Sequence, residues 1–171
     1  MLYVPPYKET SPVQAVAKSR ADDRPPSTPA PTLVPVDTQY TARNASQHML
    51  ATLVADEPSV LFASVSLVDG RSYAHATSGG HATDAQRTAA IMSSLMGLLE
   101  SFTRETLKSP AQYTSLATEH GSIVIARVPS QRRMHALCVC SDASSNLAMT
   151  IRTTLDTAKR LAETIDEAET A

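Results

Sequence analysis

Residues 83–102 constrain the fold more than any other part of the chain. Thr83 and Gln86 stand three residues apart, as in a capping box, and Asp84 suits the positive end of a helix dipole. Apolar residues follow at spacings of three and four, which predicts an amphipathic helix. They form two neighbouring rows, the first Ile91, Leu95, Leu98 and Phe102, and the second Ala85, Ala89, Met92, Met96 and Leu99.

Together the two rows are broader than a surface helix needs. Such a helix normally buries a single apolar stripe about 100° wide or slightly more. One row is sufficient to attach the helix to its own domain. The pattern therefore raises the question of what covers the second row.

Length and charge exclude several classes of protein. The chain has 171 residues, of which 42% are hydrophobic, enough for one domain with a proper core. With 15 basic against 17 acidic residues and no Trp, nucleic acid is not expected as a partner. No run of apolar residues approaches 18 in length. The N-terminus lacks the basic segment followed by an apolar segment that forms a signal peptide. We expect a cytoplasmic protein that does not insert into a membrane.

The first 37 residues differ in composition from the rest. Residues 1–37 hold eight of the eleven prolines, and their charges cancel. Such a segment buries too little surface to offset its ordering entropy, so a disordered, partly polyproline II tail is predicted. It is either a plain tether or a Pro-rich docking ligand. Residues 38–171 are predicted to form the folded domain.

The first half of this domain reads as a helix and a hairpin. Spacings of three and four predict a helix over 37–55, which Pro58 prevents from continuing. Residues 60–68 are apolar on both alternating sets, as in a strand covered on both faces. Asp69-Gly70 favours a tight turn, and residues 71–77 return as a more polar edge strand.

The second half adds three strands and a helix. Strands are predicted over 113–119, 122–128 and 134–141, followed by a helix capped by Ser144 or Ser145. Since the last strand is apolar on both faces, it should lie beside 60–68 in the middle of the sheet. The predicted fold is an α+β, three-layer α/β/α domain with a five-stranded antiparallel sheet.

The residue types that usually form catalytic or metal-binding sites are not arranged as such a site in this sequence. Cys138 and Cys140 fall on one face of a strand without the second pair that a zinc site requires, while His135 falls on the opposite face. No lysine follows Gly79-Gly80 in P-loop order, so no nucleotide site is expected there. We therefore expect no enzyme activity, no catalytic residue, no metal and no cofactor.

Several short strings resemble the roadblock family, which is named for a dynein light chain and includes bacterial regulators of small Ras-like GTPases. The resemblance covers about residues 40–168. It is carried by the order of elements and by Pro58-Ser59-Val60, Val68-Asp69-Gly70-Arg71, residues 119–125 and Asn146-Leu147. The chain departs from the family at residues 77–81, where many members have an acidic loop.

This resemblance implies a non-enzymatic regulatory or scaffold module that binds a small Ras-like GTPase or a larger assembly. It also implies a dimer, with itself or with a related roadblock chain, through the middle helix and the third strand. Independently of the family, an edge strand and an apolar row are liabilities that pairing removes. We expect the methionine row to face the partner, because thioethers suit adaptable contacts. The predicted interface comprises Ala85, Ala89, Met92, Met96, Leu99, Tyr113, Ser115 and Ala117.

A second hypothesis remains open at this point. A small-molecule sensor domain of PAS, GAF or profilin-like layout would have a similar order of elements and a pocket between sheet and helices. The strands offer Ser64, Ser66 and Tyr73 as polar groups for such a pocket.

Overall fold

The computed structural model describes residues 36–170, so the prediction for the Pro-rich segment lies almost entirely outside the described residues. Helices and strands follow one another in the predicted order. The elements are α1 (Val36–Asp56), β1 (Val60–Leu67), β2 (Ser72–Thr77), α2 (Ala85–Leu107), β3 (Tyr113–Thr118), β4 (Gly121–Arg127), β5 (His135–Asp142) and α3 (Leu147–Thr170).

The five strands form one antiparallel sheet in the order β2-β1-β5-β4-β3. The predicted position of β5 beside β1 is confirmed, with Ala63 opposite Val139 and Val65 opposite Leu137. The prediction of β2 as an edge strand is also confirmed. The other edge is β3, which pairs with β4.

Helices cover both faces of the sheet, which confirms the predicted three layers. α1 and α3 pack against one face and against each other, whereas α2 packs on the opposite face, against β1 and β2 and, through Met92 and Met96, against β4 and β5. The face under α1 and α3, here called the closed face, holds the larger core. Its fully buried side chains include Leu50, Val65, Leu137, Val139 and Leu161.

The predicted Asp69-Gly70 turn joins β1 to β2. Gly70 has a φ of 85°, a left-handed conformation that glycine adopts without steric cost. The Asp69 carboxylate accepts a hydrogen bond from the Arg71 backbone N–H at 3.1 Å and pairs with the Arg71 Nε at 2.7 Å. The hydrogen bond from the Arg71 backbone N–H lowers the pKa of Asp69 most, and the bond from the Arg71 side chain lowers it further.

The N-cap of α2 lies one residue later than the sequence predicts. Asp84, not Thr83, is the N-cap, and its side chain accepts hydrogen bonds from the backbone N–H groups of Gln86 and Arg87. The Gln86 amide does not reach back to Thr83. It bridges the Gly70 carbonyl and the Ser72 N–H instead, and so ties the first turn of α2 to the β1–β2 turn.

The cap of α3 also differs from the prediction. The Asn146 side chain accepts a hydrogen bond from the Ala148 N–H at 2.8 Å, so Asn146 rather than Ser144 or Ser145 caps the helix. Ser144 instead donates through its hydroxyl and its backbone N–H to the Asp142 carboxylate. Those bonds lower the pKa of Asp142.

The turn that joins β3 to β4 requires glycine. Gly121 has a φ of 149°, and a Cβ atom at this position would lie 2.0 Å from the Ser141 carbonyl oxygen of β5. Only a residue without a side chain permits this close approach. Gly121 therefore allows the β3–β4 hairpin to lie close against β5 at this end of the sheet.

Candidate interaction surface

The structure reverses the predicted orientation of the two rows on α2. Met92 and Met96 are 3% and 6% exposed and pack against the sheet, so the expectation that the methionine row faces outward is wrong. Ile91, Leu98 and Phe102 are instead 58%, 70% and 65% exposed. These three residues with Leu95 are called the outward row from here on.

The small side chains of the sheet explain this orientation. Ala136 and Cys138 on β5, with Ser64 on β1, face α2. They leave space that two long, unbranched thioethers fill. The Ser64 hydroxyl also donates a hydrogen bond to the Met92 sulfur at 3.6 Å, which gives the buried hydroxyl a partner.

Other members of the predicted interface lie between these extremes. Ala89 is 1% exposed and belongs to the interior with the methionines. Ala85 and Leu99 are half-buried, as is Leu95, which packs against the cluster under α2. The helix thus buries one row, exposes the other, and has half-buried residues along their border.

The outward row has the geometry of a helix-packing seam. Its members follow at spacings of four, three and four, as the core positions of a coiled coil do. A second set of exposed residues with the same spacing runs beside it, and these are all small: Ala90, Ser94, Gly97 and Ser101. A row of large residues beside a row of small ones allows a second helix to approach closely.

One apolar residue on the sheet face under α2 is exposed as well. Leu116 of β3 is 45% exposed and pairs with Ile123 of β4, which packs at the border of the cluster under α2. The exposure of Leu116 shows that α2 leaves this part of the sheet uncovered. Sequence reasoning missed Leu116, since it chose the alternate residues of the strand, although Leu116 is its largest aliphatic residue.

The predicted residues of β3 lie on the other face of that strand. Tyr113 and Ala117 are exposed and Ser115 is half-buried. Within the described chain, β3 pairs through one side only, with β4. Its other side therefore presents unpaired backbone N–H and C=O groups, which is a template for a further strand.

The thiols and the buried histidine do not form a site. The Cys138 and Cys140 sulfurs are 3.9 Å apart, and both cysteines are free. Their hydrogen bond, with burial, raises the pKa of Cys138, and the same bond lowers the pKa of Cys140. His135 packs edge-on against Tyr73, with ring centroids 4.7 Å apart, and burial lowers its pKa.

The described part of the chain offers neither a metal-binding cluster nor a membrane span. Within residues 36–170, no three or more His, Cys, Asp or Glu residues are grouped so that they could hold a metal ion. Over the same range, no helix has both the length and the apolar character needed to cross a bilayer.

Comparison with solved structures identifies the fold. The MglB gliding protein of Thermus thermophilus aligns over 74% of this chain and 92% of its own, with a TM-score of 0.63 and 11% identity. MglB of Myxococcus xanthus aligns over 74% and 91%, with a TM-score of 0.64 and 11% identity. A Roadblock/LC7 domain of Streptomyces avermitilis aligns over 68% and 94%, with a TM-score of 0.59 and 15% identity.

The sequence itself matches no protein-family model and no curated protein. At such low identity, the likeness to solved structures shows the fold alone. The chain therefore has the roadblock fold, and the predicted resemblance is confirmed at the level of the fold.

Proposed function

We propose that this chain is a non-enzymatic regulatory or scaffold module that pairs with a second copy of itself through the outward row of α2 and the free edge of β3. The observation that carries the proposal is the exposure of Ile91, Leu98 and Phe102 on one helix of a domain whose other apolar rows are buried. An apolar row of this length on a helix marks an interaction surface.

A second copy of the chain is the occupant that fits both features at once. A two-fold axis beside α2 would pack the outward row against its own counterpart, since the two surfaces of such an interface are identical. The same axis would bring two β3 edges together and satisfy their unpaired backbone groups. Leu116 lies on the sheet face between these two contacts and would be covered by both.

The proposal replaces part of the interface predicted from the sequence. Ala89, Met92 and Met96 hold α2 on its own sheet, and the outward row takes their place. Tyr113, Ser115 and Ala117 remain in the proposal because pairing of β3 edges uses the backbone of the whole strand. A structure of MglB that aligns with this chain at a TM-score of 0.64 is described as having a tetrameric arrangement, which supports association in this fold.

A small Ras-like GTPase is the partner we propose for the paired module. The support is the likeness of the fold to MglB and the roadblock resemblance of the sequence. Regulation would follow from binding that favours one state of the partner over another, since a ligand shifts an equilibrium only by its differential affinity.

The test compares two identical substitutions at apolar residues of similar exposure. Leu98→Glu places a charge in the outward row, whereas Met149→Glu places it on α3, where Met149 is 58% exposed. Sedimentation of the full chain at micromolar concentration should show a dimer for the wild type and for Met149→Glu, and a folded monomer for Leu98→Glu. Circular dichroism checks that each variant keeps its helices.

Two results would contradict the pairing. One is a folded wild-type monomer at these concentrations, and the other is a Leu98→Glu variant that stays dimeric. The GTPase proposal has its own test, which is capture of a GTPase from native cytosol by the wild type with and without added GTP analogue. Loss of capture with Leu98→Glu would support binding by the paired form, while capture of no GTPase would exclude this partner.

A further inference from the structure

A cleft lies at the end of the sheet away from the outward row. It is formed by the last turns of α2, the connection from α2 to β3, the connection from β4 to β5, and the middle of α3. Its volume is about 630 Å³, within the range of about 300–1,000 Å³ that small-molecule sites occupy. Pro110, Pro129 and Leu155 are among the apolar residues of its wall.

Basic residues dominate the charge of this cleft. Arg104, Arg127, Arg133 and Lys159 line it, and Glu100 is its one carboxylate. This concentration of positive charge occurs in a chain whose formal net charge is −2. A concave wall with one sign of charge concentrates the electric field and attracts a ligand of the opposite sign.

Glu100 is already engaged by two of the four cations. It accepts from the Arg104 guanidinium at 2.6 Å and pairs with Arg127. Lys159 has a partner outside the lining, Asp156, at 3.8 Å and on the exposed surface of α3, where such a pair contributes little. The cleft therefore keeps a surplus of positive charge after its own ion pairs are formed.

Arg127 is held in place more firmly than a surface arginine. Its side chain is 28% exposed, and the pair with Glu100 fixes its guanidinium. Its buried Nε has no hydrogen-bond partner among the described residues. A guanidinium held at an apolar wall is suited to phosphate, because its fork of donors matches phosphate oxygens and its charge is incompletely screened there.

We propose that the cleft binds a small phosphorylated molecule with a ring or other apolar body. The phosphate would lie among Arg127, Arg133 and Lys159, and the body would lie against the apolar wall of Pro110, Pro129 and Leu155. Ile91, Leu98 and Phe102 do not line the cleft, so the proposal does not depend on pairing of the chain.

The test measures the binding of AMP to the full chain by titration calorimetry. Adenosine and inorganic phosphate separate the contributions of the body and the anion. The test variant combines Arg133→Asn with Lys159→Ala. Arg133 has a φ of 51°, a conformation that asparagine tolerates, and both residues are exposed, so the fold is expected to persist. The control is Arg160→Ala, which removes one charge from the neighbouring position of α3 outside the cleft.

The expected result is saturable binding of AMP that is stronger than that of adenosine and that weakens as salt is added. The double variant should bind AMP on the order of tenfold more weakly, which is about 1.4 kcal/mol, while Arg160→Ala binds as the wild type does. No saturable binding, equal binding of adenosine, or an equal loss in Arg160→Ala would overturn the proposal. Binding of an acidic peptide in place of AMP would overturn it too.

Sedimentation of the same double variant separates this proposal from the previous one. We expect the variant to associate as the wild type does, because neither residue lies on the outward row or on β3. Failure of AMP to bind would therefore leave the pairing of α2 untouched, and failure of pairing would leave the cleft untouched.

Discussion

The two faces of the sheet are built from different side chains. On the closed face, branched residues such as Val65, Leu137 and Val139 are fully buried beneath two helices. On the face under α2, small residues such as Ser64 and Cys138 meet the methionines of a single helix. One helix cannot cover five strands, so part of the second face, including Leu116 of β3, stays exposed.

This difference suggests that stability and association depend on opposite sides of the molecule. The closed face is packed without a partner, and a change there should act on folding. The α2 face presents its outward row and the neighbouring strip of β3, and a change there should act on association. Folding without association is measured in the Leu98→Glu background, since pairing would stabilise the chain by mass action.

The largest expected effect is on the closed face. Leu137→Ala removes a fully buried side chain and leaves a cavity, so the free energy of unfolding should fall by about 2–5 kcal/mol. Leu107→Ala, at a residue 73% exposed near the end of α2, should change it by about 0.5 kcal/mol or less. Urea denaturation measures both. Equal losses would show that the closed face is not the main source of stability.

The next largest effect is expected from one substitution, alanine to valine, made on each of the two faces of the sheet. Ala63 lies fully buried in the closed face, so Ala63→Val should overpack it and cost about 1–3 kcal/mol. Ala136 borders a cavity of about 110 Å³ beneath α2, so Ala136→Val has room and should change stability by less than about 1 kcal/mol. A larger cost for Ala136→Val, again by urea denaturation, would mean that the α2 face is packed as tightly as the other.

A smaller effect, with opposite signs for folding and association, is expected at Gly97. A Cβ atom there would meet nothing within 4 Å, so Gly97→Ala should stabilise the monomer by about 0.5–1 kcal/mol through helix propensity. With Leu98 restored, the added methyl group should weaken pairing, because Gly97 lies in the row of small residues that a second helix would approach. Thermal unfolding and sedimentation measure the two effects. A Gly97→Ala variant that was both more stable as a monomer and more tightly paired would contradict the proposed close approach of a second helix.

The smallest expected effect is a pH dependence from His135. Burial lowers its pKa below the ordinary value of 6.5, whereas the nearby charge of Asp166 raises it and only partly compensates. The unfolded chain therefore binds more protons just below pH 6.5, and stability should decline as the pH falls through 6.5 toward the lower pKa of the folded state.

Urea midpoints between about pH 7.5 and 5 measure this decline, because the ordinary pKa of a histidine lies inside that window. His135→Phe should remove the decline, while His120→Gln, at an exposed turn residue, should keep it. A decline of the same size in His135→Phe would assign it to another group.

Much of the fold follows from local features of the chain. The periodicity of apolar residues predicts α2 and both central strands, and Asp69-Gly70 predicts the first turn because a tight hairpin favours that dipeptide. The helix caps are harder to predict, since neighbouring residues such as Thr83 and Asp84 have the same capping chemistry. Asp84 is the cap in the structure, and Gln86 then binds the β1–β2 turn, a contact that sequence spacing does not reveal.

The candidate sites depend on contacts between distant parts of the chain. The cleft has cations from α2, β4, the β4–β5 connection and α3, which are ordinary surface charges until the fold brings them together. Leu116 is an exposed apolar residue of the sheet only because α2 packs on the other strands.

The sequence by itself determined that α2 is a helix with two apolar rows, since periodicity alone sets which residues share a side. The spacing of four and three is the same in both rows, so it contains no information on which row turns inward. Only the tertiary structure decided this, because the small side chains of β1 and β5 that accept Met92 and Met96 lie more than twenty residues away along the chain. The orientation of α2 is thus a property of the sheet, and it places Ile91, Leu98 and Phe102 where a second chain can reach them.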